Sequence, residues 1–104
     1  MTPDGYPNDH EIEQIRTWVL PGDLSGLVEF VRQRWRWEYG WRSSGRNLWM
    51  STGGWSGNEE IIGALQENRL FWSMCWVYSR RGGHYRFNLH PALQQPPAGE
   101  GGKT

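Results

Sequence analysis

A glycine-rich segment is the part of this chain whose residue types best suit the binding of an anion. It reads Ser51-Thr52-Gly53-Gly54-Trp55-Ser56-Gly57-Asn58 and leads into a helical pattern of apolar residues. Such a segment directs backbone N–H groups toward a helix N-terminus, where the positive end of the helix dipole favours negative charge. It matches neither the phosphate-loop pattern, which ends in Gly-Lys-Ser/Thr, nor Gly-x-Gly-x-x-Gly. The segment therefore predicts an anion site without naming its ligand.

A second group of residues that suits phosphate is the turn Arg80-Arg81-Gly82-Gly83-His84. The arginine guanidinium is a planar fork that pairs with phosphate oxygens, and Trp55 offers an aromatic ring on which a nucleotide base can stack. We predict that the glycine-rich segment and this turn together bind a phosphate-bearing ligand, a nucleotide or a nucleic acid. The predicted ligand-binding residues are Ser51, Thr52, Gly53, Gly54, Trp55, Ser56, Gly57, Asn58, Arg80, Arg81 and His84.

The same residues also admit a purely structural interpretation. Ser56 and Glu59 have the S-x-x-E spacing of a capping box, which would account for both residues at the start of a helix. The arginine turn would then be a solvent-exposed hairpin tip. Both interpretations stay open at the level of the sequence.

A third segment, residues 34–42, interleaves aromatic and arginine side chains in the order Arg-Trp-Arg-Trp-Glu-Tyr-Gly-Trp-Arg. This composition suits single-stranded nucleic acid or a protein-interaction hot spot. The alternative is a strand whose aromatic side chains face the core while the arginines face solvent. The sequence pI of about 6.8 argues against a general nucleic-acid binder, for which a domain pI above roughly 9 is usual.

Residue types that could support catalysis are present but are not arranged in a known pattern. Cys75, His84 and Glu59 supply a nucleophile and bases, yet no spacing selects a triad and Gly-x-Ser-x-Gly does not occur. The three histidines, His10, His84 and His90, lack metal-ligand spacing. We therefore predict a non-enzymatic protein that uses no cofactor and no metal.

Length and composition favour one small domain with an aromatic core. The chain has 104 residues, of which 37% are hydrophobic, and eight of them are tryptophans that each bury a large area. The sequence contains no stretch approaching the roughly 18 apolar residues of a membrane helix, and residues 1–10 lack the pattern of a secretory signal. The single cysteine, Cys75, agrees with a reducing compartment. We expect a soluble, cytoplasmic protein that makes no contact with a membrane.

The elements that must position these residues are three helices and two hairpins. Capping residues and apolar periodicity predict a helix that starts at Asn8 or Asp9, a helix that starts after Asp23, and a helix from about 57 to 68. The second of these has a one-sided apolar stripe, formed by Leu24, Leu27, Val28, Val31 and Trp35. Alternating patterns predict strands near 37–42, 46–52 and 84–90, and the apolar run 70–79 predicts a central strand. The expected fold is α+β, with an antiparallel sheet of about four strands, three helices and the order ααββαββ.

Composition also predicts the limits of the domain. Residues 1–8 contain two prolines and a glycine and are expected to form a flexible arm, and residues 9–90 a single α+β domain. Residues 91–104 are mostly Gln, Pro, Gly and Ala, a composition typical of a disordered tail.

Several of these motifs resemble small uncharacterised proteins encoded by tailed bacteriophages and prophages. The resemblance covers roughly residues 48–90 and is carried by four stretches: Ser51 to Asn58, 64–68 (Ala-Leu-Gln-Glu-Asn), Phe71-Trp72 and Ser79 to Tyr85. It implies a phage accessory protein in the bacterial host cytoplasm, where such proteins bind host factors, nucleic acids or signalling nucleotides. No catalytic residue is carried over. The alternative function is a protein-interaction module, or an inhibitor of a host defence protein, that uses the aromatic and arginine surface.

Overall fold

Helices and strands alternate in pairs along residues 6–94, the part of the chain that the computed structural model describes. Short 3-10 helices lie at Glu38–Gly40 and Pro91–Leu93. The α-helices and strands, in chain order, are α1 (Asp9–Arg16), α2 (Leu24–Arg34), β1 (Trp41–Ser44), β2 (Asn47–Ser51), α3 (Ser56–Glu67), α4 (Arg69–Cys75), β3 (Trp76–Arg80) and β4 (His84–Asn88).

The strands form one antiparallel sheet in the order β1-β2-β4-β3. The predicted α+β class and the four-stranded antiparallel sheet of two hairpins are therefore confirmed. The helix count is different: the described residues form four α-helices, so the order is ααββααββ and not ααββαββ.

The first two helices begin where their capping residues predict. The Asn8 side chain accepts a hydrogen bond from the Glu11 backbone N–H at 2.8 Å, and the Glu11 carboxylate accepts one from the Asn8 N–H at 3.0 Å. Asp23 caps α2 by accepting from the Gly26 N–H at 2.9 Å. A half-buried ion pair of 2.9 Å between Glu11 and Arg34 then joins α1 to α2.

The fourth helix occupies most of the run 70–79 that the alternating pattern assigns to a central strand. Asn68 ends α3, and its side chain accepts a hydrogen bond from the Phe71 N–H at 3.4 Å, so a new helix starts immediately. Phe71 and Cys75 lie four residues apart and are both buried. Residues at this spacing lie on the same face of a helix, as they do on the same face of a strand. The strand that follows, β3, lies at the edge of the sheet and not at its centre.

Residues 37–40 are also not part of a strand. Trp37 has a φ of 106°, and the following residues form a 3-10 helix in which Tyr39 is 85% exposed. A Cβ on Gly40 would lie 2.4 Å from the Ser51 carbonyl oxygen, so the chain turns here close against the end of β2. The predicted first strand therefore begins only at Trp41.

The hydrophobic core lies between the helices and one face of the sheet. Leu48, Met50 and Phe87 project from the sheet and are at most 2% exposed. The predicted apolar stripe of α2 packs on this face through Leu27 and Val31, which are also buried. Because strand side chains alternate between faces, the neighbours of these core residues in β1, β2 and β4 point away from the helices.

The chain is ordered beyond the predicted limits 9–90 at both ends. Tyr6 packs on Trp55, with ring centroids 4.7 Å apart, although it falls in the predicted arm 1–8. Leu93 is 1% exposed, and its carbonyl accepts a hydrogen bond from the Gly22 N–H at 2.8 Å, although it falls in the predicted tail 91–104. The remainder of both predictions, residues 1–5 and 95–104, lies outside the described residues.

No helix within residues 6–94 combines the length and the apolar character that crossing a membrane requires.

Candidate functional site

The glycine-rich segment and the arginine turn lie side by side, as the sequence predicts. Ser51 and His84 are opposite each other in the β2–β4 pair, and the Ser51 Oγ is 2.7 Å from the His84 Nδ1. The Thr52 N–H donates to the Gly83 carbonyl at 2.9 Å. A Cβ on Gly83 would lie 2.3 Å from the Thr52 Oγ1, and the φ of +81° also favours glycine. The two loops are thus packed into one unit.

Several polar groups of the glycine-rich segment form hydrogen bonds within the segment or with Arg36 beside it. The Thr52 hydroxyl accepts from the Gly54 N–H at 3.2 Å, and the Thr52 carbonyl accepts from the Trp55 N–H at 3.2 Å. Asn58 is fully buried, and its side-chain amide hydrogen-bonds the backbone of Arg36 and the Thr52 carbonyl. Thr52 and Asn58 therefore shape the loop from inside it. The backbone N–H groups of Thr52, Gly54 and Trp55 are already hydrogen-bonded within the protein.

The capping box expected at Ser56 and Glu59 is wrong. Trp55 is the N-cap of α3, and it makes no side-chain capping hydrogen bond. Ser56 lies in the first turn, and its hydroxyl donates to the Tyr6 hydroxyl at 3.3 Å. Glu59 accepts a long hydrogen bond, 3.5 Å, from the Thr52 hydroxyl. The structural interpretation of these two residues thus loses its main support.

A shallow groove of about 610 Å³ opens beside the glycine-rich segment. Its walls are Trp37 and Trp55, and the Arg36 guanidinium lies 5.1 Å from the Trp55 ring centroid. The Trp37 ring rests on Gly53, where an added Cβ would lie 2.8 Å from the ring. We call this feature the tryptophan groove; of the predicted ligand-binding set, Thr52, Gly53 and Trp55 line it.

The sheet face opposite the core carries arginine and aromatic side chains in rows across the strands. One row consists of Arg42, Trp49, Arg86 and Tyr78, which are successive register partners on β1, β2, β4 and β3. The next row is Ser51, His84 and Arg80. We call this surface the arginine face. None of the helices in residues 6–94 packs on it, because the helices cover the face of Leu48, Met50 and Phe87.

Trp49 lies at the centre of the arginine face between two guanidinium groups. The Arg42 guanidinium carbon is 4.8 Å from the Trp49 ring centroid, and that of Arg86 is 5.5 Å from it. Asn47 fixes Arg86 by accepting from its Nη2 at 2.8 Å, while the buried Arg86 Nε makes no hydrogen bond with the described residues. The sheet thus fixes an aromatic ring next to two positive charges.

The charge of the sheet differs sharply from that of the whole chain. The hairpins 41–51 and 76–88 contain no Asp or Glu, and their arginines are Arg42, Arg46, Arg80, Arg81 and Arg86. The acidic residues between 6 and 94 lie in or next to the helices. The ion pairs found there involve Arg16 and Arg34, so Arg42, Arg80, Arg81 and Arg86 receive no carboxylate from the described part of the chain. A net charge of zero therefore conceals a basic sheet layer.

A groove of about 440 Å³ marks the end of the arginine face nearest the turn. Of the residues predicted from the sequence, Ser51, Arg80, Arg81 and His84 line it, together with the aromatic residues Trp49, Tyr78 and Tyr85. Sequence reasoning named Arg42 only as part of the segment 34–42, and it missed Trp49, Tyr78 and Arg86. The alternation of β2 and β4 would have revealed Trp49 and Arg86, since each is next to a residue of the core.

The residue types that could support catalysis have the following surroundings among residues 6–94. The Ser51–His84 hydrogen bond joins a hydroxyl to an imidazole, but no carboxylate among residues 6–94 hydrogen-bonds His84. Cys75 is 1% exposed, and burial raises the pKa of its thiol, which disfavours the reactive thiolate. Within the described ranges, no three His, Cys, Asp or Glu side chains cluster so as to hold a metal ion.

The fold and the site together define a small α+β domain with an arginine-rich sheet face, on which no helix of residues 6–94 packs. No family model matches the chain, and neither the curated proteins nor the solved structures contain a match. The function is therefore inferred from the geometry and the charge of this chain.

Proposed function

We propose that the protein is a non-enzymatic accessory binding module of a phage or prophage, which captures a phosphate-bearing ligand on its arginine face in the host cytoplasm. The observation that carries this proposal is the charge of the sheet: five arginines and no acidic residue in the two hairpins. Polyanions bind such surfaces by displacing their own condensed counterions. Guanidinium groups without a carboxylate partner are free to form bidentate hydrogen bonds with phosphate oxygens.

The groove beside the arginine turn is the proposed anchoring point for a phosphate. Arg80, Arg81 and His84 are exposed there, and Ser51 holds the His84 imidazole through its Nδ1. This leaves the His84 Nε2 without a hydrogen-bond partner among the described residues, available to a ligand oxygen. The glycine-rich segment contributes by holding the turn through the Thr52–Gly83 hydrogen bond.

The Arg80→Ala/Arg81→Ala double variant tests this proposal with long-chain inorganic polyphosphate, a polyanion that has no bases. We expect its affinity to fall on the order of a hundredfold, since a hydrogen bond to a charged group contributes roughly 1.5–3 kcal/mol. Arg69→Ala removes one exposed charge from α4 on the helical side and serves as a control. Binding is measured by tryptophan fluorescence at low and high salt.

The salt dependence and the control give this experiment two ways to fail. Polyphosphate affinity that is independent of salt would contradict an electrostatic site. Equal losses in Arg69→Ala and in the double variant would show that the anion does not select the arginine face.

A second candidate function, a protein-interaction module or an inhibitor of a host protein, is favoured by the tryptophan groove. Trp37 is 46% exposed and has a φ of 106°, a backbone conformation that is strained for a bulky residue. Such strain persists where the surroundings enforce it, and it is concentrated at functional sites. This function predicts a host protein whose binding is lost in Trp37→Ala but kept in Arg80→Ala/Arg81→Ala. The opposite pattern would remove the tryptophan groove from consideration.

A further inference from the structure

We infer that the ligand of the arginine face is single-stranded nucleic acid, with bases that stack on Trp49 and Tyr78. This inference rests on the proposed function and names its substrate class. It starts from the row Arg42, Trp49, Arg86 and Tyr78, in which cations and aromatic rings alternate across all four strands. Alternation of this kind suits a polymer that presents phosphates and flat rings in turn.

The aromatic rings of this row are accessible because they take no part in the core. Trp49 and Tyr78 are partly exposed, and neither is among the side chains that pack on the core. They lie on β2 and β3, which are separated by β4, and so their strands are roughly 10 Å apart. Four-stranded sheets that bind single strands use aromatic side chains at such positions to stack two or three bases.

Three arginines lie close to the two rings. Arg42 and Arg86 lie within 5.5 Å of the Trp49 ring centroid, and the Arg80 guanidinium lies 6.0 Å from the Tyr78 ring centroid. A base stacked on either ring therefore brings its own phosphate next to an arginine. A free inorganic phosphate would bind the guanidinium groups, but it has no flat ring that could stack on Trp49 or Tyr78.

A flat face of this kind favours a single strand over a duplex. In a duplex the bases are already stacked and paired, and stacking on a protein ring requires that they be released. The described part of the arginine face is a sheet surface, and no helix projects from it to enter a major groove. A single strand can lie across the rows with its bases stacked on the aromatic rings and its phosphates beside the arginines.

Fluorescence anisotropy with labelled oligomers of one length separates the contributions of bases and phosphates. We expect oligothymidylate to bind at least tenfold more tightly than an abasic oligomer, since stacking contributes roughly 1–3 kcal/mol per base. Trp49→Ala and Tyr78→Ala should each reduce this ratio, whereas Tyr39→Ala, which removes an exposed tyrosine outside the sheet, should leave it unchanged. Thermal melts of each variant confirm that it is folded, and a comparison of oligodeoxyuridylate with oligouridylate identifies the preferred sugar.

The possible failures of this experiment distinguish the stacking inference from the proposed function. An abasic oligomer that binds as tightly as oligothymidylate would overturn the stacking inference and leave a phosphate site intact. A duplex that binds more tightly than the single strand would overturn it in the same way. Failure of oligothymidylate, the abasic oligomer and polyphosphate alike would overturn the proposed function itself.

Discussion

The Asn58→Ala variant is expected to lose about 3 kcal/mol of its unfolding free energy, the largest effect on stability that we predict for a single residue. Asn58 is fully buried at the start of α3. Its Oδ1 accepts from the Arg36 N–H at 3.0 Å, and its Nδ2 donates to the Thr52 carbonyl at 3.2 Å. Truncation leaves the partly buried Arg36 N–H without this acceptor and opens a cavity.

A second substitution separates hydrogen bonding from packing at this position. Asn58→Asp keeps the shape of the side chain but turns a carboxylate oxygen toward the Arg36 and Thr52 carbonyls, so we expect it to be destabilising as well. Asn88→Ala, which loses a single hydrogen bond to Asn47 on a half-buried strand, is the control and should cost less than about 1 kcal/mol. Denaturant unfolding monitored by circular dichroism measures all three. Losses in Asn58→Ala no larger than in the control would contradict the assigned role.

Reversal of charge at the centre of the arginine face is expected to have the largest effect on binding. Arg42→Glu/Arg86→Glu replaces two positive charges by two negative ones on either side of Trp49. We expect oligothymidylate affinity to fall by more than roughly a hundredfold, because each site loses a charge-assisted contact and gains repulsion. The slope of log affinity against log salt should also become shallower.

The matched control for this reversal is Arg32→Glu/Arg69→Glu. These arginines are exposed on α2 and α4, and the variant has the same change in net charge. Anisotropy titrations of both double variants separate local from global electrostatics. Equal losses in the two variants would mean that only the net charge matters, which is incompatible with a site on the sheet.

Local signals in the sequence correctly predicted much of the fold. The capping residues Asn8 and Asp23 and the apolar stripe of α2 depend on short-range spacing, and the structure keeps them. The run 70–79 was misassigned, because its alternation is equally compatible with the (i, i+4) pairing of Phe71 and Cys75 in a helix. Only the capping of α4 by Asn68 distinguishes a helix from a strand in this run. Asn68 can act as this cap only because α3 ends at the residue before it.

The candidate site was harder to predict, because it is assembled by strand order. The contact of the glycine-rich segment with the arginine turn was predicted, but the pairing of β2 with β4 that creates it is long-range. A β-bulge between Trp76 and Tyr78 turns them to opposite faces, although simple alternation places them on one face. Tyr78 therefore joins the arginine face, while Trp76 stacks on Trp72 beside the helices.

The most direct test of the arginine face is NMR titration of the ¹⁵N-labelled protein with oligothymidylate. The chain has eight tryptophans, so each indole N–H reports on its own surroundings. We predict that the largest shifts fall on the Trp49 indole and on backbone amides of Arg42, Tyr78, His84 and Arg86, while Trp18 on the helical side stays unchanged. Shifts concentrated at Trp37 and Trp55, or on the helices, would contradict the placement of the ligand on the sheet.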